Sequence, residues 1–338
     1  MSATTTAPSW AADIDDVAWE AALTVLRATG TAGRTIALAC HADPDGDALG
    51  SLLALHHALR SLGYATVASW GSQPFAIPPQ YTFLPGLDTL TPPSAFPLAA
   101  DLLVTLDAGS PERLGSLSRA LSRARRVLVI DHHASNDAFG DVNLVAPHAA
   151  ASVVVVEELL RRLGATIDRD VAACLYTGLV TDTGRFQYRN TDPEVMELAS
   201  RLLAHDIRHS EISRQMFETH SFGYLKTLAA VLDRARFDHE VSLIHSYVTQ
   251  QDLTRWGVAF EETEGLIDVL RTADSAEVVM ILKQAQDGTW RVSLRSKGRV
   301  DVGALASDLG GGGHAYSAGF TGTADPDELV GAVRERLL

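Results

Sequence analysis

The stretch His41-Ala42-Asp43-Pro44-Asp45-Gly46-Asp47 constrains this chain more than any other. One imidazole and three carboxylates fall within seven residues, between two apolar runs. The first run, Ile36-Ala37-Leu38-Ala39-Cys40, predicts a buried strand. The second carries Leu49, Leu52, Leu53, Leu59 and Leu62 on one face and predicts a helix. The motif is therefore a strand, a tight acidic loop and a helix. Open α/β sheets bind ligands at the carboxyl ends of their strands. Pro44 and Gly46 shape the turn. Carboxylates at this density repel one another unless a cation joins them, and mixed oxygen and imidazole donors suit manganese, iron or zinc better than calcium. A capping role for Asp47 ahead of the helix explains one carboxylate and leaves the others unexplained.

The same device recurs. Leu102-Leu103-Val104-Thr105-Leu106 predicts a second buried strand and delivers Asp107. Val127-Leu128-Val129-Ile130 predicts a third and ends in Asp131-His132-His133. There one imidazole can bind metal, the acid can orient its neighbours, and the second imidazole can face substrate. Asn136 helps to shape that loop. A helical segment from 170 to 180 leads to Thr181-Asp182-Thr183-Gly184, placing Asp182 beyond an apolar run like the others. Further helices are expected over residues 15 to 29 and from Ala149 to Leu163. His56 reads as a core histidine on the leucine stripe, His57 as solvent-facing and Arg113 as a surface arginine. Residues 74 to 97 hold seven of the 13 prolines and predict a surface connection, with a lid as the less favoured reading. Strands alternating with helices predict a parallel sheet with helices on both faces.

Beyond Thr191-Asp192-Pro193 the sequence reads as a helical connector to about residue 225, and then changes character. Val241 to Val248 and Glu277 to Ala285 predict strands, and Asp287-Gly288 is a hairpin signal. In the next strand Trp290, Val292 and Leu294 share one face, and Arg291, Ser293 and Arg295 share the other. Asp301 caps a helix to Leu309. Gly310-Gly311-Gly312-Gly313-His314 reads as a ligand loop, whose backbone N–H groups a phosphate can approach closely. A helix C-cap needs only one such glycine. Asp325-Pro326 starts the last helix.

The composition is that of an ordinary globular chain, 46% hydrophobic and 21% charged, with no apolar run near the ~20 residues that span a bilayer. Met1 to Pro8 reads as a disordered tail rather than a signal peptide. Cys40 and Cys174 sit among apolar residues, so a disulfide framework is not expected and a cytoplasmic location is. The net charge is −14, from 42 acidic and 28 basic residues, with no basic run. This argues against tracking of long nucleic acid and leaves room for a short anionic ligand in a local pocket.

Taken together, His41-x-x-x-Asp45-x-Asp47, Leu106-Asp107-Ala108, Asp131-His132-His133 and Thr181-Asp182-Thr183-Gly184 resemble the motifs of the DHH phosphoesterase family. Arg295-Ser296 and Gly311 to His314 resemble the motifs of its DHH-associated domain. The resemblance runs from about residue 33 to 335 and is to the short, NrnA-like branch, which includes nanoRNases, pAp phosphatases and cyclic di-AMP phosphodiesterases. It implies an α/β fold with a parallel-sheet DHH domain (15–190), a helical linker (191–225) and a smaller α/β DHH-associated domain (226–338), with a cleft between the domains. It implies two manganese ions, one held by His41, Asp45 and Asp107 and one by Asp47, Asp107, His132 and Asp182, with Asp107 bridging. Asp131 would support the ligands and His133 would face the scissile phosphate. Arg295, Ser296, Gly311, Gly312, Gly313 and His314 would bind substrate. Two such ions supply an activated water and polarise a phosphoryl oxygen, so no Ser or Cys nucleophile is required. The implied substrates are cyclic di-AMP, pApA, pAp and di- to pentaribonucleotides, and the implied assembly is a homodimer. A manganese pyrophosphatase or exopolyphosphatase is the runner-up, and a non-cleaving cyclic dinucleotide sensor ranks last because all six ligands are present.

Overall fold

A computed structural model of the chain describes residues 9–338, so the Met1 to Pro8 tail lies outside the described residues. The chain divides into two compact units, the first ending at Gln215 and the second spanning Met216–Leu338. The stretch 191–225, expected as a connector, is shared between them. Among the described residues no helix is long and apolar enough to cross a membrane.

In the first unit, α1 (Asp16–Thr31) precedes β1 (Ile36–Cys40), α2 (Gly46–Ser61), β2 (Thr66–Trp70), β3 (Leu102–Leu106), β4 (Val127–Asp131) and β5 (Val142–Val145). α3 (Ser152–Leu163), α4 (Arg169–Asp182), α5 (Pro193–Leu203) and α6 (His209–Phe217) follow. Asp15, Asp45, Asp168 and Asp192 each accept a first-turn backbone N–H and so fix where α1, α2, α4 and α5 begin. The cap of α2 is thus Asp45; Asp47, for which capping was the plainer alternative to a metal role, lies inside the first turn. β5 rests on a four-residue run containing one Asn, too short to announce a strand.

The five strands are parallel, in the order β2-β1-β3-β4-β5. The order reverses between β1 and β3, and such a switch point opens a crevice at the strands' carboxyl ends. Right-handed crossovers carry α2 to one face of the sheet and the β2–β3, β3–β4 and β4–β5 connections to the other. An α-helix was expected on that second face too, but among the described residues none covers it. Phe96, Ala100, Leu114, Leu117 and Ala120 pack there on Ala37, Ala39, Leu103, Val127 and Val129. Pro92, Pro93, Pro97 and Pro111 interrupt helical hydrogen bonding in these connections. Gly115, at φ 56°, breaks the 3-10 segment Pro111–Ala120.

On the helical face, 13 of the 16 residues of α2 are buried, so the predicted single stripe is replaced by burial all round, as for a helix inside a core. Its closest helical neighbour is α4, and glycines set the approach. A Cβ on Gly50 would lie 2.5 Å from the Cys174 carbonyl oxygen, and one on Gly178 would lie 2.8 Å from Asp47 Oδ1. His56 is buried between Thr66 Oγ1 and Thr89 Oγ1, and burial lowers its pKa to about 4, the neutral core histidine expected. His57 is half-buried instead of solvent-facing, because its Nε2 lies 3.1 Å from the Pro85 carbonyl oxygen.

In the second unit, α7 (Phe222–Arg234) precedes β6 (Arg236–Asp238), β7 (Leu243–Val248), α8 (Gln250–Trp256), α9 (Leu266–Leu270), β8 (Val278–Gln284) and β9 (Trp290–Ser296). α10 (Val302–Asp308), β10 (Gly312–His314), β11 (Ser317–Gly322) and α11 (Pro326–Leu337) complete it. The sheet order is β10-β11-β9-β8-β7-β6, with β7 and β8 parallel and the other pairs antiparallel. Trp290, Val292 and Leu294 share a core with Val302, Leu305, Leu329 and Val333 of α10 and α11. The opposite face packs Ile244, Val279 and Ile281 against α7, α8 and α9.

The tight α2–α4 contact leads to a test. Gly178→Ala forces the two helices apart and should destabilise the protein by about 1–3 kcal/mol. Gly331→Ala, in α11 with open space around it, should be neutral or stabilising by up to about 1 kcal/mol. Thermal unfolding of both variants checks this; equal effects would remove the packing role assigned to Gly178.

Candidate metal centre

His41 follows β1 and Asp107 follows β3, so both stand at the switch point. Asp131 is the last residue of β4, with His132 and His133 next. Asp45 and Asp47 open α2, and Asp182 closes α4. The carboxylates expected at strand ends therefore come from strand ends and helix ends together. Asp107 has a left-handed backbone (φ 55°), a conformation for which Asp is enriched among non-glycine residues.

The side chains of these residues converge. His41 Nε2 lies 3.5 Å from Asp107 Oδ2 and 3.7 Å from Asp45 Oδ1. His132 Nε2 lies 3.1 Å from Asp182 Oδ2 and 3.7 Å from both Asp47 Oδ2 and Asp107 Oδ1. Among the donor groups whose ligand atoms lie within 4.8 Å of one another are His41 with Asp45 and Asp107, and Asp47 with Asp107 and His132. Asp107 belongs to both. Atoms bound ~2.1 Å from one divalent ion sit about 3.0–3.4 Å apart, so these spacings fit an ion after small adjustments.

The tautomers fit too. His41 Nδ1 is 2.8 Å from the Ala42 carbonyl oxygen and His132 Nδ1 is 3.2 Å from that of Ala149. A carbonyl only accepts, so each Nδ1 carries the proton and donates. In the neutral ring Nε2 is then the lone-pair nitrogen, and it faces the carboxylates, the outer bonding expected of a metal-binding His. Asp43 stands apart, exposed and bonded to the Ser72 hydroxyl at 3.0 Å.

Several groups that hold the cluster escaped sequence reasoning. The N–H groups of Ser152 and Val153, at the start of α3, donate to Asp47 at 2.6 and 3.0 Å. The buried Ser152 hydroxyl donates to Asp107 Oδ1 at 2.9 Å. The one available signal was Ala149-Ala150-Ala151-Ser152, small residues ahead of an apolar helix. Asn190 Nδ2 donates to the Asp182 carbonyl at 3.0 Å and the Ala150 carbonyl at 3.1 Å, tying the end of α4 to that segment. Asn136 and Asp131, both named from the sequence, act together: Asn136 Nδ2 donates to Asp131 Oδ2, and Asp131 Oδ1 lies 2.7 Å from His133 Nδ1. The buried Asp131 therefore orients the His133 ring from one side.

Electrostatics register the crowding. Burial, with the charges of Asp107 and Asp182, pushes the Asp47 carboxyl well above its usual range. Burial, with Asp45 and Asp107, does the same to Asp182. At Asp107 burial also acts upward, but the His41 hydrogen bond and the charges of His133, His41 and His132 outweigh it and hold the carboxyl below its usual range. Burial and Arg113 oppose charge on His41, yet hydrogen bonds with Asp107 and Asp45 prevail and raise it to about 10. Burial is likewise overcome at His132 by Asp47, Asp107 and Asp131, and its pKa is raised. The raised groups hold protons more tightly than free carboxyls and imidazoles do.

The second unit places its motif residues as follows. Arg295 is half-buried, with Nε 3.8 Å from Asp268 Oδ1. Ser296, expected to reach a ligand, is fully buried: it donates to Glu277 Oε1 at 3.2 Å and accepts from the Gly298 N–H at 2.9 Å. It holds the 297–299 turn, because position 296 falls on the core face of β9. The glycine run is not a loop. Gly310 and Gly311 N–H groups bond back to Ser307 and Ala306 and close α10, a helix-ending motif in which Gly310 takes the left-handed position (φ 79°). A Cβ on Gly311 would lie 2.1 Å from the Gly319 carbonyl oxygen, and one on Gly313 would lie 2.5 Å from Ala318 Cα. Gly312 has open space, and Gly312–His314 form the edge strand β10.

Residues 35–179 match the model of the DHH family, N-terminal domain, and residues 240–337 match the DHHA1 domain. A Thermus thermophilus protein, named bifunctional oligoribonuclease and PAP phosphatase NrnA, is 32% identical over 90% of this chain and 89% of its own length. The chain belongs to the DHH family of phosphoesterases, on its NrnA-like branch. Another DHH relative, the cyclic-di-AMP phosphodiesterase GdpP of Geobacillus thermodenitrificans, is 28% identical over 64% of this chain and 32% of its own length. In fold, the chain is similar to an exopolyphosphatase-related protein from Bacteroides fragilis, with TM-score 0.85, 24% identity and 96% of each chain covered.

Protons must leave before a metal can bind. With His41 raised to about 10 and Asp47 and Asp182 raised as well, manganese uptake by the metal-free protein near pH 7 should release protons. Affinity should fall as pH falls. Calorimetric titration in two buffers of different ionisation enthalpy reads this as a difference in apparent heat; equal heats would contradict the protonated cluster.

Proposed function

We propose that this chain is a cytoplasmic, homodimeric, manganese-dependent phosphodiesterase that hydrolyses very short nucleotides to 5′-nucleotides and removes the 3′-phosphate of pAp. The observation that carries the reading is the sharing of Asp107 between two His- and Asp-containing groups whose ligand atoms are already gathered. Further support comes from the NrnA and GdpP relatives, whose names describe oligoribonuclease, PAP phosphatase and cyclic-di-AMP phosphodiesterase activities.

His41, Asp45 and Asp107 would hold one ion, and Asp47, Asp107, His132 and Asp182 the second. Bound ions would supply an activated water and Lewis acidity toward the phosphoryl oxygen. The chain's own groups do the rest. Asp131 holds the His133 ring by Nδ1, so Nε2 is the atom offered to substrate. Protonated there, His133 donates to the phosphate or to the departing ribose 3′-oxygen as the P–O bond breaks. In the second unit Arg295 forks onto a phosphate or stacks on a base. The open Gly312 lets a ligand approach edge strand β10, with His314 beside it. Ser296 keeps a supporting role through the turn that it braces. The net charge of −14 fits short ligands better than long strands.

A panel of pApA, cyclic di-AMP, pAp, a pentaribonucleotide and pyrophosphate, incubated with manganese and resolved by nucleotide chromatography, tests this. AMP should appear from the adenine nucleotides; turnover of pyrophosphate alone would establish the runner-up. Arg295→Ala should keep its metal content and lose roughly ten- to a hundredfold in kcat/KM on pApA, the effect of one charge-assisted contact. Loss of metal in that variant would end its assignment to substrate.

A further inference from the structure

The sheet of the second unit has a polar face whose register is informative. Residues directly opposite in paired strands share a face. Opposite the α10–α11 core, three rows therefore cross β8, β9, β11 and β10. The first is Val279, Arg295, Ser317 and His314; the second is Ile281, Ser293, Gly319 and Gly312; the third is Lys283, Arg291 and Thr321. On this face α7, α8 and α9 pack on Val279 and Ile281 of β8, and no residue of β9, β10 or β11 joins that apolar cluster.

The first row contains the Arg295 and His314 already placed in substrate binding. The third lies four residues along β9, ~13 Å away at ~3.3 Å per residue. There Arg291 and Thr321 are exposed, while Lys283 is buried and committed to Glu264. Between the two rows the floor is low: Ser293, Gly319 and Gly312 are small, and nothing lies within 4 Å of a Cβ built on Gly312. Asp268 beside Arg295, Asp287 near Arg291 and Glu264 on Lys283 are acidic groups beside these rows. A strongly acidic chain thus carries two arginines and a histidine around a flat polar trough. At ~3.4 Å per nucleotide of a stacked strand, ~13 Å accommodates about four nucleotides.

We infer that Arg291, Ser293 and Thr321 form a distal subsite for the far phosphates of substrates about five nucleotides long. Arg291 supplies the charge and fork, the Ser293 and Thr321 hydroxyls supply donors, and the glycines let the strand lie close to the sheet. The inference rests on the phosphodiesterase reading above and adds chain length to it. Dinucleotides and pAp end within the first row; pentanucleotides reach the third.

Fluorescence anisotropy with labelled di- and pentaadenylate tests it, using the full chain in excess chelator so that nothing is cleaved. The pentanucleotide should bind the wild type at least about tenfold more tightly than the dinucleotide. Arg291→Ala should shrink that ratio by about tenfold, the low end for a charge-assisted contact. It should also flatten the slope of log affinity against log salt by ~0.7 for the pentanucleotide. Arg291→Lys, which keeps the charge without the fork, should retain the salt slope and recover part of the ratio. Absence of a length preference in the wild type, or a ratio insensitive to Arg291, overturns the subsite. Turnover of the dinucleotide with manganese is scored separately. Its absence beside an Arg291-dependent ratio would sink the phosphodiesterase reading and spare the subsite.

Discussion

Carboxylates removed from water cannot stay ionised side by side unless positive charge joins them. Asp47 and Asp107 are almost fully buried and Asp182 largely so, around the buried rings of His41 and His132. In the metal-free chain the crowding raises the pKa of His41, His132, Asp47 and Asp182, so these groups favour protons. Divalent ions can take their place, because each histidine turns Nε2 inward while a backbone carbonyl occupies Nδ1. The cluster is thus poised between two ways of meeting one electrostatic demand.

Much of the first unit is arranged to hold that demand in place. The β1–β3 switch point brings His41 beside Asp107, and β4 adds Asp131, His132 and His133 from the neighbouring strand end. The glycine contact between α2 and α4 brings Asp47 and Asp182 into range of the same point. α3 begins where its first N–H groups and the Ser152 hydroxyl meet Asp47 and Asp107. The partial positive charge of a helix N-terminus eases the burial of Asp47. The charged site and the apolar core are therefore built from the same elements.

What the sequence made legible was whatever repeats locally. Apolar runs ending in Asp or His marked β1, β3 and β4 and their ligands, and period-two alternation sorted the two faces of β9. What stayed hidden depends on contacts between distant segments. Ser152 donates to a residue 45 positions away, and nothing near it in sequence announces a partner. Thr181-Asp182-Thr183-Gly184 marked Asp182 as a ligand, but its place beside His132 comes from helix packing. The run Gly310 to Gly313 looked like one loop, yet its glycines do different work, because helix closure, close strand packing and an open edge all demand the same residue type. Ser296 appeared next to Arg295 as one functional pair, although strand alternation places the two on opposite faces and buries the serine. The second face of the first sheet lacks an α-helix because proline and a left-handed glycine interrupt the connections, which sequence alternation alone did not convey.

The central claim is that Asp107 belongs to two ion sites at once. Electron paramagnetic resonance of the metal-free protein titrated with manganese tests it directly, since two manganese ions sharing a carboxylate couple magnetically and isolated ones do not. The account predicts uptake of two ions per chain with a coupled spectrum at saturation, and loss of that coupling in Asp107→Ala. One ion per chain, or two ions with the spectrum of isolated manganese, would contradict it.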